Sequence, residues 1–289
     1  MQPTRKLREI LSQGRLLVAP FCYDAFTARI AESVGFPIIY VSGFGTVMSR
    51  GYPDVGVITL TEMVDNARYV TAAVRVPVIA DADTGYGNPI NVARTVGEFE
   101  RAGVAGIHLE DQVFPKKCGF FAGKQVIPLE ENVAKIRAAL DARTDPEFLI
   151  IARCDALAIK GWEDTIRRCR AYHDAGADMV FVDGIKTLED MHTYARELAD
   201  LPRFYNGDLL PVAQVEELGF RIMIHRASVL VVYKAVREVM EELKEKGSVD
   251  RSRTATREEV AELLGLSRIY EMEDRYATLS PSSMMGKRG

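Results

Sequence analysis

No stretch of this sequence approaches the roughly 20 consecutive apolar residues that a helix needs to cross a bilayer, which excludes a helical membrane protein. The charged start, Thr4-Arg-Lys-Leu-Arg-Glu9, is not followed by the apolar segment and cleavage site of an export signal. Cysteine is sparse, and Cys22, Cys118, Cys154 and Cys169 are never spaced as C-x-x-C. Zinc ribbons and redox pairs are therefore not expected, and a reducing cytoplasm is the expected setting. A basic excess is missing too: the formal charge is −4 and the Lys and Arg residues are scattered, so no nucleic-acid surface is expected. No G-x-G-x-x-G turn follows the first apolar run, which takes support from a dinucleotide-binding sheet.

With 289 residues, 47% of them hydrophobic, the chain can bury a large core, and α/β barrels of this size are commonly undivided. Short apolar runs fall at Leu16–Phe21, Pro37–Val41, Val76–Ala80, Gly106–Leu109, Phe148–Ala152, Met179–Val182, Arg203–Tyr205 and Arg221–Ile224. They are continuously apolar rather than alternating, as strands buried on both faces should be. Helix-like stretches lie between them, roughly at 24–35, 60–74, 90–103, 129–141, 162–176, 187–200 and 211–218, with a longer one at 227–246. Eight such units predict a parallel (β/α)₈ barrel over 1–247. A C-terminal helical extension with a helix near 256–265 and a mobile tail is expected over 248–289. Thr59 with Glu62 forms a capping box, Asn88-Pro89 opens another helix, and Gly103, Gly176 and Gly219 close helices.

The unusual residues stand where the apolar runs end. These are Tyr40-Val-Ser42-Gly43, Asp81 with Asp83, Glu110 with Asp111, Arg153-Cys-Asp155, Asp183 and Asn206. In (β/α)₈ barrels the C-terminal strand ends carry the active site. Several carboxylates beside a core are costly to desolvate unless a cation offsets them, and oxygen-only ligands point to Mg²⁺ or Mn²⁺ rather than zinc. Asp81 and Asp83, two apart, would share one side of an extended strand, although Asp and Gly also favour turns. Arg153 can grip a carboxylate with two parallel hydrogen bonds or pair with Asp155 or Glu110, and the sequence leaves both open. Cys118 follows two lysines, whose charge favours the thiolate, while Cys22, Cys154 and Cys169 belong to the core. His108 is expected to pack, and His225 to end the last strand near the pocket. A Schiff-base aldolase would need a desolvated lysine in the barrel mouth, and only Lys186 stands near one. The chain reads as a metal-dependent enzyme.

Taken in order, Tyr40-Val-Ser42-Gly43, Gly51-Tyr-Pro-Asp54, Asp81-Ala-Asp83-Thr-Gly-Tyr-Gly87, Leu109-Glu110-Asp111-Gln112, Lys116-Lys-Cys118-Gly119 and Ile151-Ala-Arg153 resemble the isocitrate lyase/phosphoenolpyruvate mutase superfamily. The resemblance is strongest to its short 2-methylisocitrate lyase-like and dimethylmalate lyase-like members and covers residues 5 to 245. It implies a barrel whose last helix swaps between subunits, a homotetramer built as a dimer of dimers, and Mg²⁺ on Asp81, with Asp54, Asp83 and Glu110 acting through water. It further implies that Tyr40, Ser42, Gly43, Phe44, Gly119, Phe120, Arg153 and Asn206 bind a small carboxylate substrate. Cys118 would be the catalytic acid or base on a gating loop, with Arg153 and Glu110 as its catalytic companions. Two departures stand out: Phe120 and Phe121 follow Gly119 where the lyases carry histidine, and Asp183 stands where they carry glutamate. These favour a smaller or more methylated diacid over a tricarboxylate.

The expected activity is Mg²⁺-dependent carbon–carbon cleavage of a 2-hydroxy di- or tricarboxylate, of the 2-methylisocitrate or 2,3-dimethylmalate type, into an α-keto acid and a carboxylate. Decarboxylation or hydrolytic cleavage of oxaloacetate on the same scaffold is the alternative. Phosphonate chemistry and a non-catalytic dicarboxylate-binding relative are the remaining readings.

Overall fold

A computed structural model describes residues 2–118 and 123–277. Eight strands form where the apolar runs lie: β1 Leu17–Cys22, β2 Ile39–Val41, β3 Val78–Asp81, β4 Gly106–Glu110, β5 Leu149–Cys154, β6 Met179–Val182, β7 Arg203–Asn206 and β8 Ile222–His225. Each pairs in parallel with the next, and β8 closes on β1 with Leu17 beside Ile222 and Pro20 beside His225. The expected (β/α)₈ barrel is the observed fold.

Side-chain alternation explains how this barrel is filled. Leu17, Ala19 and Phe21, Tyr40, Ile79, Leu149 and Ile151, Met179 and Phe181, Phe204, Ile222 and Ile224 share the interior cluster. Their neighbours along the strands, including Ile39, Val41, Ala80, Ile107, Ala152 and Val180, turn outward into clusters shared with the surrounding helices. A strand apolar on both faces is the result. At the centre, the Phe181 and Phe204 rings lie 4.8 Å apart, and His108 sits edge-on to Phe181 at 5.5 Å. Each such buried phenylalanine contributes roughly 1.5–3 kcal/mol.

The same alternation places the polar residues. Two positions beyond the interior residues Tyr40, Ile79, His108, Ile151, Phe181 and Phe204 stand Ser42, Asp81, Glu110, Arg153, Asp183 and Asn206. The period that fills the barrel with hydrocarbon therefore delivers a ring of polar groups to its C-terminal mouth. Asp111, one residue out of phase with Glu110, turns to the helix Leu157–Asp174. There it accepts hydrogen bonds from Tyr172 Oη at 2.7 Å and Arg168 Nη1 at 3.1 Å.

Helix boundaries follow the capping chemistry. Thr59 and Glu62 form the reciprocal box of Leu60–Ala73, and Asn88 caps Pro89–Arg101 through Ile90 N and Asn91 N. Gly103, Gly176 and Gly219 take φ of 82°, 108° and 80°, the left-handed turn that ends a helix. Three helices were not expected: Pro3–Ser12, whose Leu7 is fully buried in the interior cluster, Gly43–Ser49, and Leu266–Tyr276. Gly43–Ser49 is short, whereas Pro3–Ser12 (Leu7, Ile10, Leu11) and Leu266–Tyr276 (Leu266, Ile269, Tyr270) do carry apolar residues at helical spacing, a signal the sequence offered. The chain divides into two compact units after Val232, inside the helix Ala227–Lys246. The second unit carries Arg257–Leu263, the helix expected near 256–265. The tail expected to be mobile, 279–289, lies outside the described residues. No helix among the described residues is long and apolar enough to cross a membrane.

Candidate active site

A cavity of about 240 Å³ opens at the C-terminal mouth of the barrel. Among the residues singled out from the sequence, Tyr40, Ser42, Phe44, Asp54, Asp81, Cys118, Arg153 and Asn206 line it. Lys116, Asp183 and Arg226 add charge, and Phe21, Ile224 and Leu230 make part of the wall apolar. Gly119 and Phe120, like Phe121, lie outside the described residues.

Asp81, at the end of β3, is held from several sides. Its Oδ1 accepts from Asp83 N at 2.9 Å, and its Oδ2 accepts from Tyr40 Oη at 3.2 Å and Gly43 N at 3.3 Å. A methyl group on Gly43 would come within 2.5 Å of Asp81 Oδ2, so only glycine allows this approach. Asp83 does not continue the strand, as its spacing from Asp81 implied. Its φ of 46° puts it in a left-handed turn, a conformation that aspartate adopts more readily than most residues other than glycine. The turn and the acid cluster are one feature rather than alternatives.

Tyr40 Oη also lies 2.6 Å from His108 Nε2, which makes His108 a polar member of the barrel interior and not merely a packing residue. Among the described residues no hydrogen bond reaches His108 Nδ1. The arrangement that orphans no buried N–H has Nε2 donating to Tyr40, and Tyr40 donating to Asp81. Burial lowers the His108 pKa to about 4 against the pull of Asp81, so the ring is neutral near pH 7.

Lys116 is the main residue that the sequence reading missed. Its ammonium is buried, 2.6 Å from Asp54 Oδ1 and 2.9 Å from Asp83 Oδ1. Burial works against its charge, but the surrounding carboxylates raise its pKa well above the usual lysine value. Lys116, rather than the exposed Lys186, is thus the lysine that lines the cavity, and its protonated state leaves no nucleophile for a Schiff base. Cys118 follows closely, half-buried, with its N–H donating to the Asp54 carbonyl at 3.0 Å.

Arg153 makes the ion pairs with Asp155 and Glu110, one of the two arrangements the sequence left open. Asp155 takes Nε and Nη2 at 2.7 and 3.0 Å, Asp183 takes Nη2 at 3.0 Å, and Glu110 lies 3.3 Å from Nε. Nη1 makes no hydrogen bond among the described residues and is the edge left for a ligand. Asn206 Nδ2 donates to Asp183 Oδ1 at 3.1 Å. His225 does not reach the pocket wall; its Nδ1 accepts from Ala227 N, and its neighbour Arg226 lines the cavity instead. Cys22, Cys154 and Cys169 are buried, as expected of core cysteines.

Among the described residues the buried carboxylates Asp54, Asp81, Asp83, Glu110, Asp155 and Asp183 are set against the buried cations Lys116, Lys124, Lys135 and Arg153. The strain of this imbalance shows in the protonation states. Burial raises the Asp83 pKa to about 6 and that of Glu110 well above the usual carboxylate range. Burial also opposes the charge of Asp81, yet His108, Lys116 and Arg153 hold it at about 2. Among the described residues neither carboxyl oxygen of Glu110 takes a hydrogen bond, although Oε2 lies in ion-pair range of Arg153 Nε. An all-oxygen, electron-rich set with unpartnered acceptors fits a hard divalent cation. Among the described residues no three His, Cys, Asp or Glu side chains converge into a closed metal cage. Such an ion would therefore be held by one or two carboxylates, with water completing its shell.

A family model for phosphoenolpyruvate phosphomutase matches residues 7–244. The chain belongs to the phosphoenolpyruvate mutase/isocitrate lyase superfamily. It is 43% identical over 289 residues to the 2,3-dimethylmalate lyase of Eubacterium barkeri, covering 96% of this chain and 99% of that one. To the 2-methylisocitrate lyase of Aeropyrum pernix it is 41% identical over 289 residues, covering 96% and 92%. Among solved structures, oxaloacetate acetylhydrolase in complex with the inhibitor 3,3-difluorooxalacetate superposes with a TM-score of 0.91 at 38% identity, covering 96% of this chain and 97% of that one. Phosphonopyruvate hydrolase in complex with oxalate and Mg²⁺ superposes at 0.89 with 31% identity, covering 96% and 100%. The resemblance drawn from the sequence motifs agrees with this membership, and the expectation of a carbon–carbon lyase agrees with these relatives.

Proposed function

We propose that this chain is a Mg²⁺-dependent lyase that cleaves a methyl-bearing 2-hydroxy diacid, of the 2,3-dimethylmalate type, into an α-keto acid and a carboxylate. The observation that carries the reading is the joint lining of one cavity by Asp81, Arg153 and Cys118. Asp81 would hold the ion directly, with Asp54, Asp83 and Glu110 ordering its waters. A divalent ion bound there supplies Lewis acidity toward the hydroxyl and carboxylate that become the keto acid. The hydroxyl proton would pass to an acid of this shell, Glu110 in its carboxylate form, by way of a water that it orders. As the carbon–carbon bond breaks, its electron pair passes to the departing fragment as a carboxylate-stabilised carbanion. Arg153 steadies that charge through Nη1, and Cys118 protonates the carbon. Tyr40, Ser42, Gly43, Phe44 and Asn206 position the substrate.

The wall of Phe21, Phe44, Ile224 and Leu230 supports a substrate with methyl groups at one end and few carboxylates to satisfy there. Hydrolytic cleavage of oxaloacetate is the second reading, supported by the likeness to oxaloacetate acetylhydrolase. An NMR product screen with Mg²⁺, offering 2,3-dimethylmalate, 2-methylisocitrate, isocitrate and oxaloacetate, separates the two. Two fragments from a hydroxy acid, lost with EDTA, are expected; turnover of oxaloacetate alone would overturn the lyase reading.

The assembly is proposed to be a tetramer in which the helix Ala227–Lys246 swaps between subunits. Its exposed Leu230, Val231, Val236 and Met240 support that reading. A cytoplasmic setting is proposed on the sparse cysteines, which show no C-x-x-C spacing.

A further inference from the structure

One buried carboxylate links parts of the molecule that the proposed reaction must keep in register. Asp155, fully buried just beyond β5, receives Arg153 through Nε and Nη2. Its Oδ1 also accepts from Lys124 Nζ at 3.0 Å and from Gln112 Nε2 at 3.2 Å. Gln112 in turn clamps the main chain of Lys117: its Oε1 accepts from Lys117 N at 3.0 Å, and its Nε2 donates to Lys117 O at 2.8 Å. Lys117 immediately precedes Cys118, and Lys124 follows it six residues later. Val113 N donates to Gln125 O at 2.8 Å, which pairs the chain before the cysteine with the chain after it.

These bonds are not surface decoration. The side chains of Lys124 and Asp155 are 3% and 0% exposed, and breaking a buried pair leaves an uncompensated charge. Neutralising Arg153 alone would not require Gln112 or Lys124. Both additional partners flank Cys118, one on each side.

We propose that Asp155 is a positioning residue that fixes the Cys118 thiol relative to the Arg153 guanidinium, acting through Gln112 before the cysteine and Lys124 after it. The proposal rests on the lyase reading, in which Arg153 steadies the carbanion that Cys118 protonates. Proton delivery of this kind needs reacting atoms about 3–3.5 Å apart, and a displacement of about 1 Å costs on the order of 100-fold.

The test is alkylation of the full-length protein with iodoacetamide, mapped by peptide mass spectrometry alongside thermal melting. Lys124→Met and Gln112→Leu are each expected to raise the Cys118 rate by about fivefold or more, through local opening, without a matching rise at Cys22, Cys154 or Cys169. Lys124→Arg keeps the pair and should return the rate to within about twofold of the parent. With a substrate in hand, Lys124→Met should lower kcat by about 100-fold while KM moves by less than about threefold. An unchanged Cys118 rate in the folded Met and Leu variants would overturn the proposal. So would a common acceleration at all four cysteines, which marks general loosening. If Asp155→Asn does not fold, the Lys124 and Gln112 variants still decide. Failure of the parent to cleave any hydroxy diacid would remove the lyase reading, while the alkylation rates would still decide whether Asp155 positions the cysteine.

Discussion

Gly43 shows how narrowly single residues set this site. Its main chain donates to Asp81 Oδ2, and a Cβ there would meet that oxygen at 2.5 Å and Cγ at 2.9 Å. Gly43→Ala must displace the carboxylate proposed as the direct metal ligand. Loss of a supporting contact around a metal ligand typically costs about 10–100-fold in affinity, and the variant should lose at least the lower figure while remaining folded. Titration calorimetry with Mg²⁺ measures it, and an unchanged affinity would move the ion away from Asp81. Much of the site was legible in the sequence, because Ser42, Asp81, Glu110, Arg153, Asp183 and Asn206 each break an apolar run at its end. Lys116 read only as a charge favouring the Cys118 thiolate, His108 as packing, and Asp155 as one candidate partner of Arg153. Lys116 meets its partners across separations of 62 and 33 residues (Asp54 and Asp83), which no local pattern encodes. His108 was assigned to packing because a histidine within an apolar run shows no sign of the tyrosine hydroxyl opposite it.

Among the elements, the parallel strands were the most legible, since continuous apolar runs admit little else once eight helix-like stretches separate them. The helix boundaries followed from caps whose chemistry is local, as at Thr59 and Asn88. The turn at Asp83 was one of two local readings, because Asp81 and Asp83 fit the end of an extended strand as well as an Asp- and Gly-rich turn. Gly106 illustrates how closely the strands approach. A methyl group there would lie 2.5 Å from Leu149 Cβ and 2.9 Å from the Leu149 carbonyl oxygen, on the paired strand β5. Gly106→Ala should therefore destabilise the barrel by about 1–3 kcal/mol, the usual cost of overpacking. Scanning calorimetry should show a melting temperature lowered by several degrees. An unaltered transition would mean that the two strands can part without penalty.

At the scale of the whole molecule, the barrel converts an alternating side-chain pattern into a mouth crowded with carboxylates, with an arginine and a cysteine facing the same cavity. The swapped-helix tetramer is the account's prediction for the assembly. Light scattering should give about four times the 32.2 kDa chain mass, and a single-chain mass would contradict it. The central claim is that a metal-held hydroxy diacid is cleaved and the carbanion is protonated by Cys118. The most direct test follows 2,3-dimethylmalate by NMR in D₂O with Mg²⁺, comparing the parent protein with Cys118→Ser at equal metal occupancy. The account predicts two fragments from the parent, with one new carbon–deuterium bond on the carboxylate product. It also predicts a rate lower by about 10²–10⁴-fold in the serine variant, the usual contribution of a positioned proton donor. Cleavage at an undiminished rate in Cys118→Ser would contradict it.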